Sequence, residues 1–268
     1  MMPSTSAAFP RANPGAVSRG PDPCLSEAAL INPVRETHEA LVPPRVILTF
    51  TRPDYLLLCR LAQAPTTLRH IWGCEVRRGS WQDRPLTVVA PALGAPYAAV
   101  VLEKLIVLGA RMALALAWCG SLQPGVAIGS LVLPGAAVPG DGTSRHYCAG
   151  EPEPDPVLYK LLQTRLEAGE TPWQAGRILS IDALYRETPG LVRHYQEQGV
   201  LGIDLELAAL FAVGRYRGVP VAALAVVSDE LGDLTFQPGH RSPQFLQARE
   251  AALGIVLAAA AQWDGDHA

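Results

Sequence analysis

Residues 199–231 read GVLGIDLELAALFAVGRYRGVPVAALAVVSDEL, and the architecture of the chain follows from this stretch. Asp204 and Glu206 stand at the opening of an apolar helical run, so an acidic pair marks a helix start. VAALAVV, seven apolar residues in succession, reads as a buried strand that delivers Ser228, Asp229 and Glu230 at its carboxyl end. Open α/β sheets bind ligands outside the carboxyl ends of their parallel strands. Both features also have purely structural uses. A helix dipole favours an acid in the first turn, and Ser-Asp after a strand is a common turn or N-cap.

Working outward, strand-like runs alternate with helical periods, the pattern of a largely parallel sheet covered by helices. Residues 45–50, 86–94, 113–120, 128–138 and 176–185 read as strands. Residues 53–62 and 97–108 read as helices, the second closed by Gly109, and residues 242–262 as a long final helix. EPEPDP at 151–156 reads as a loop inside one domain that spans residues 28–264. Residues 1–27, rich in Pro, Ser, Gly and Ala without an apolar core, read as a disordered tail rather than a secretory signal.

With 49% hydrophobic and 18% charged residues the chain reads as a soluble globular protein. A net charge of -3 and the absence of any Lys/Arg run give no footprint for nucleic acid. The apolar run 251–263 is too short to span a bilayer, which argues against a membrane role. Five cysteines, Cys24, Cys59, Cys74, Cys119 and Cys148, lack CxxC spacing. Free thiols in a reducing cytoplasm fit this pattern better than disulfides or zinc. Cys119 has no evident His partner and follows an apolar strand, so a buried thiol is expected rather than a nucleophile. Trp72, Trp81 and Trp173 read as packing residues. No dinucleotide or P-loop glycine spacing accompanies Gly94 or Gly120, which read as turns at strand ends.

In order, GAPYAAVVLEKLIVLGAR (94–111), WCGSLQPGVAIGSLVLPGAAV (118–138), DGTSRHY (141–147), RILSIDALY (177–185), ELAAL (206–210) and VSD (227–229) resemble the nucleoside phosphorylase/nucleosidase superfamily, of the purine nucleoside and uridine phosphorylase type. The resemblance implies a three-layer α/β/α sandwich with a mixed, mostly parallel sheet. It also implies a homo-oligomer, a nucleoside substrate, and no cofactor beyond inorganic phosphate as co-substrate. Leu205-Glu206 stands where that family has Met-Glu, which makes Glu206 the acceptor of the ribose hydroxyls, with Asp204 either a second ligand or simply the N-terminal acid of the helix. Cys119-Gly120 falls in the strand end that cradles base and ribose, and Leu179 on the strand that packs against the base. His146 lines the base pocket or a subunit contact, or has no role. Asp229 corresponds to the acid that protonates the leaving purine, and needs a raised pKa to do so. Arg241, four residues before Phe245, corresponds to an arginine brought toward that acid.

The phosphate side departs from the family. Thr51-Arg52-Pro53 replaces a Gly-Asp-Pro turn, and Tyr55, Ala115 and Trp118 occupy two arginine positions and a small hydroxyl position. Arg52 and Gly94 are the remaining phosphate candidates. RETPG at 186–190 lacks the Gln-x-Arg pair by which the uridine branch reads uracil, so a purine is expected. Ala225 replaces an arginine of the nucleosidases. The resemblance therefore implies phosphorolysis of a purine nucleoside, with hydrolysis or a non-catalytic nucleoside-binding module as the alternatives.

Overall fold

The computed structural model describes residues 27–90 and 92–265; the tail predicted for residues 1–27 lies outside it up to residue 26, as does Cys24. Four of the six α-helices among the described residues start by one recipe, a side-chain cap followed by proline in the first turn. Thr51 caps α1 (Arg52–Leu61) through Asp54 N, and Asp155 caps α3 (Pro156–Glu167) through Val157 N and Leu158 N. Thr188 caps α4 (Pro189–Glu197) and Ser242 caps α6 (Pro243–Gln262). EPEPDP thus ends as a helix cap and not as a free loop. The remaining two, α2 (Ala95–Val107) and α5 (Leu207–Arg217), start without a side-chain cap on the residue before them.

The strands are β1 (Arg45–Thr49), β2 (Thr66–Ile71), β3 (Cys74–Trp81), β4 (Arg84–Ala90), β5 (Met112–Ser121), β6 (Leu131–Gly140), β7 (Trp173–Ile181), β8 (Gly202–Asp204), β9 (Val221–Glu230) and β10 (Gln237–Pro238). They form one mixed sheet in the order β10-β9-β6-β7-β8-β5-β1-β4-β3-β2. The long central ladders β1–β5, β5–β9 and β6–β7 are parallel. Because β9 also pairs with β5, the strands β9, β6, β7, β8 and β5 close on themselves into a small barrel inside the larger sheet.

Side-chain size assigns the faces. Ala113, Ala115 and Ala117 of β5 and Ala223 and Ala225 of β9 point to one core, where α2 and α5 pack. Their neighbours Leu114, Leu116, Leu224 and Val226 point to the other, where α1, α3 and α6 pack. The small residues let α5 come close enough that its first eight residues are all buried, as an evenly apolar helix requires. A third cluster, Leu122, Leu179, Ile181, Val192, Val200, Ile203 and Leu231, fills the barrel side under α4.

Four strands were not legible in advance, β2, β3, β8 and β10. The β2–β3 and β3–β4 hairpins turn on Trp72-Gly73 and Gln82-Asp83, all four at positive φ. Trp and Gln are poor residues for that conformation, so the usual Asn-Gly or Asp-Gly signal is missing. Trp72 is consequently 77% exposed at a hairpin tip and does not pack in the core. Trp81 and Trp173 do pack against the second core. Among the described residues no helix is long and apolar enough to cross a membrane.

Candidate active site

Asp204 ends β8 and does not belong to the helix; β8 is the short strand that the sequence reading missed. Its carboxylate is fully engaged by the protein. Oδ1 accepts from Ser180 Oγ at 2.5 Å, and Oδ2 accepts from the backbone N–H of Glu206 (2.9 Å) and Leu207 (2.8 Å). Ser180 in turn accepts from Ala208 N. Together they cap α5 from below, satisfying donors that a helix start leaves open. Asp204 is therefore a support for Glu206, both of its oxygens already accepting from the protein.

Glu206 is the residue before α5, only 3% exposed, and its Oε1 accepts from Gly94 N at 2.7 Å. Gly94 holds φ +92 and ψ 144, a conformation essentially reserved for glycine, which aims its N–H at the carboxylate. Gly94 thus serves Glu206, and its N–H is not free for phosphate as the sequence reading required. Among the described residues Glu206 has no ion-pair partner. Burial, and then the charge of Asp204, raise its pKa above the usual carboxylate range. A buried carboxyl with one oxygen uncommitted is suited to a ligand that brings hydroxyl donors.

Gly120 stands in register between Ile203 of β8 and Asp229 of β9, at an irregularity in the β5–β9 ladder. A Cβ on Gly120 would lie 2.8 Å from Asp229 Oδ2, so only glycine leaves this carboxyl room. Asp204 and Asp229 both act electrostatically on Cys119. Cys119 is itself 2% exposed, and its thiol is pushed well up by burial, as expected for a structural cysteine. Burial raises the Asp229 pKa, opposed by the Ser228 hydrogen bond and by the charge of His240. Ser228 Oγ lies 2.6 Å from Asp229 Oδ1 and 3.3 Å from the carbonyl oxygen of Cys119. With one hydroxyl hydrogen, Ser228 can donate to an ionised Asp229, or accept from a protonated one while donating to Cys119. The pair accommodates both protonation states.

Other expected residues lie elsewhere. Arg241 is exposed ahead of α6 and, among the described residues, forms no ion pair with Asp229; the neighbouring charge is that of His240. Leu205 is half-buried against the third cluster, and Leu179 is wholly enclosed in it, on the strand face opposite Ser180. His146 lies on the short turn Ser144–His146, whose neighbour Tyr147 packs on Tyr216 at the far end of α5 with ring centroids 5.6 Å apart. It lines a cavity of ≈ 680 Å³ with Trp72, Tyr216 and Arg217, roughly 15 Å along α5 from Glu206. One chain alone does not bring His146 to the carboxylates.

Arg52 is exposed in the first turn of α1. The same turn carries Asp54, a residue the sequence reading passed over, although Thr51-x-x-Asp54 has the form of a capping box. Asp54 is fully buried; its Oδ2 accepts from Trp118 Nε1 at 2.6 Å and Thr51 Oγ1 at 2.9 Å. Arg249 Nε stands 3.3 Å from Oδ1, an ionic contact whose angle does not make a hydrogen bond. Burial raises the Asp54 pKa, and Thr51, Arg249 and Trp118 act against it. Trp118, Tyr55 and Ala115 thus fill space with indole, phenol and methyl. Glu187 and His240, next to Asp229, were also unremarked in sequence, since a lone acid in RETPG and a loop histidine carry no pattern.

The family model described as the phosphorylase superfamily matches residues 44–261, most of the chain. The chain belongs to the phosphorylase superfamily. Among superfamily relatives, a guanosine phosphorylase of Halorubrum lacusprofundi is 29% identical over 159 residues, 59% of this chain and 66% of that protein, just under two thirds of its length. A purine nucleoside phosphorylase, DeoD-type, of Myxococcus xanthus is 25% identical over 74% of this chain and 83% of its own length. The superfamily fold is shared with the uridine phosphorylase of Vibrio fischeri (TM-score 0.75, 23% identity, 83% of this chain and 93% of that one). It is shared also with the purine nucleoside phosphorylase of Toxoplasma gondii in complex with immucillin-H (TM-score 0.77, 19% identity, 85% and 98%).

Proposed function

We propose that this chain cleaves the N-glycosidic bond of a purine-type nucleoside with phosphate as acceptor, giving free base and ribose 1-phosphate. The observation that carries the reading is that Gly120 of β5 pairs on one side with β8, the strand that leads into buried Glu206, and on the other with Asp229 of β9. Two carboxyls of different character thus follow strands flanking one glycine. Glu206, held by Gly94 and lacking a cation, accepts the ribose hydroxyls. Asp229, raised by burial and paired with a hydroxyl that tolerates either protonation state, gives a proton to the departing base. Cleavage leaves positive charge on the ribosyl ring and an electron pair on the base, so the two acids act on opposite ends of one bond. The purine preference is supported by the guanosine and purine nucleoside phosphorylases among the relatives.

Hydrolysis is the second reading, and Asp54 favours it. A buried carboxyl under Trp118 occupies the first turn of α1, and Arg249, the cation nearest it, is already paired. This surrounding suits a neutral acceptor better than a phosphate dianion.

The test is incubation of the purified chain with inosine, adenosine, guanosine, 5′-methylthioadenosine and uridine, with and without phosphate, reading free base by chromatography. Base released from purine nucleosides only with phosphate is the expected result. Release without phosphate identifies a hydrolase. Cleavage of uridine alone, or unchanged cleavage by Asp229→Asn, rejects the assignment of Asp229, and no release at all leaves a binding module.

A further inference from the structure

His240 has no place in the mechanism above, yet the fold seats it beside the acid. Two backbone contacts pin it there. Pro238 of β10 pairs in register with Asp229, and Gly239 N donates to the carbonyl oxygen of Ser228 at 2.8 Å. The next residue is His240. Its ring lies nearly parallel to the Trp118 indole, interplanar angle 23° and centroids 6.1 Å apart, while Trp118 is itself fixed by Asp54 and by an edge contact with Phe245 at 4.8 Å. His240 is exposed and Asp229 half-buried, with no direct hydrogen bond or ion pair between the two side chains, so a proton passing between them travels through water.

We propose that His240 is the positioning residue that relays protons between solvent and Asp229. Resting on the reading that Asp229 protonates the base, the sequence of transfers balances as follows. Protonated Asp229 gives its hydrogen to the base nitrogen as the glycosidic bond breaks and its electron pair passes to the base. The ribose C1 bonds an oxygen of hydrogen phosphate, which releases its proton to solvent. The Asp229 carboxylate takes a proton from imidazolium His240, and neutral His240 regains one from solvent. A histidine suits the role because, of the common side chains, it is the one that changes charge near neutral pH. The charge of His240 is among the influences acting on Asp229. The other charged groups around this relay are Glu187, whose carboxyl feels Asp229, Asp54 of α1 beyond Trp118, Arg249 of α6 paired with Asp54, and Arg241 adjacent in sequence.

The test compares wild type with His240→Gln on two substrates across pH 5–9, with phosphate present. Inosine leaves as a poor anion and needs the proton; 7-methylguanosine already carries positive charge at N7 and does not. The relay predicts that His240→Gln slows inosine cleavage by about tenfold or more, flattens its pH profile, and spares 7-methylguanosine. Added imidazole should restore part of the inosine rate in His240→Ala. An inosine profile in His240→Gln that superimposes on wild type overturns the relay, and so does an equal fall on both substrates, which marks a structural role. Failure of wild type to cleave either substrate rejects the functional reading itself, and the relay with it.

Discussion

At the scale of single residues, the carboxyls differ because their surroundings differ. Asp204 has three protein donors, Glu206 has one, and Asp229 shares one hydroxyl. Glu187, half-buried after β7, has a carboxyl pushed up to about 7 by burial and then by the charge of Asp229. A carboxyl whose pKa is higher folded than unfolded favours the fold below the unfolded value, and that advantage is lost as pH rises through the folded value. The window here runs from the ordinary carboxyl value of 4.5 to about 7. Its full span is worth at most about 3 kcal/mol. Glu187→Gln is therefore expected to raise the thermal midpoint at pH 8 and to leave it nearly unchanged at pH 4.5. Equal shifts at the two pH values would contradict this account. Glu206 and Asp229 were legible in sequence because an acid before an apolar helix and an acid after a buried strand form a pattern. Asp54, Glu187 and His240 form none; only their neighbours in space give them meaning.

At the scale of elements, α5 is the part on which the site hangs. It has no side-chain cap on its own preceding residue, and Asp204 and Ser180 supply the missing acceptors from β8 and β7. Asp204→Ala removes acceptors from two buried N–H groups and should cost about 2–3 kcal/mol of stability, read from denaturant melts, with loss of activity as Glu206 drifts. Full stability with lost activity would instead make Asp204 a direct ligand. The starts of α1 and α6 were readable to within a residue because Thr or Ser just ahead of Pro is a local signal. Asp155-Pro156 and Thr188-Pro189 carried the same signal, and the helices α3 and α4 were not read from it. The hairpins at Trp72-Gly73 and Gln82-Asp83 were not, since their turn residues contradict the local preference and are held by the sheet.

At the scale of the molecule, several large apolar side chains are left in the open: Leu30, Ile31, Trp72, Tyr185 and Phe236. Exposed apolar area of this kind marks association surfaces. The chain is accordingly expected to sediment as a homo-oligomer, and Trp72→Glu to shift it toward monomer; a monomeric wild type at micromolar concentration would reject this. The sequence alone determined the alternation of strands and helices, the small-residue and large-residue faces of the central strands, and the acids at their ends. Each depends on residues close in the chain, where periodicity and capping act. Only the tertiary structure decided that β9 pairs with β5 to close a barrel, and that Ser180 holds Asp204 beneath α5. It alone turned Gly94 toward that carboxylate, and set His240 rather than Arg241 beside Asp229. Those outcomes rest on contacts between residues tens to more than a hundred positions apart, or on a hairpin register that local preference does not encode.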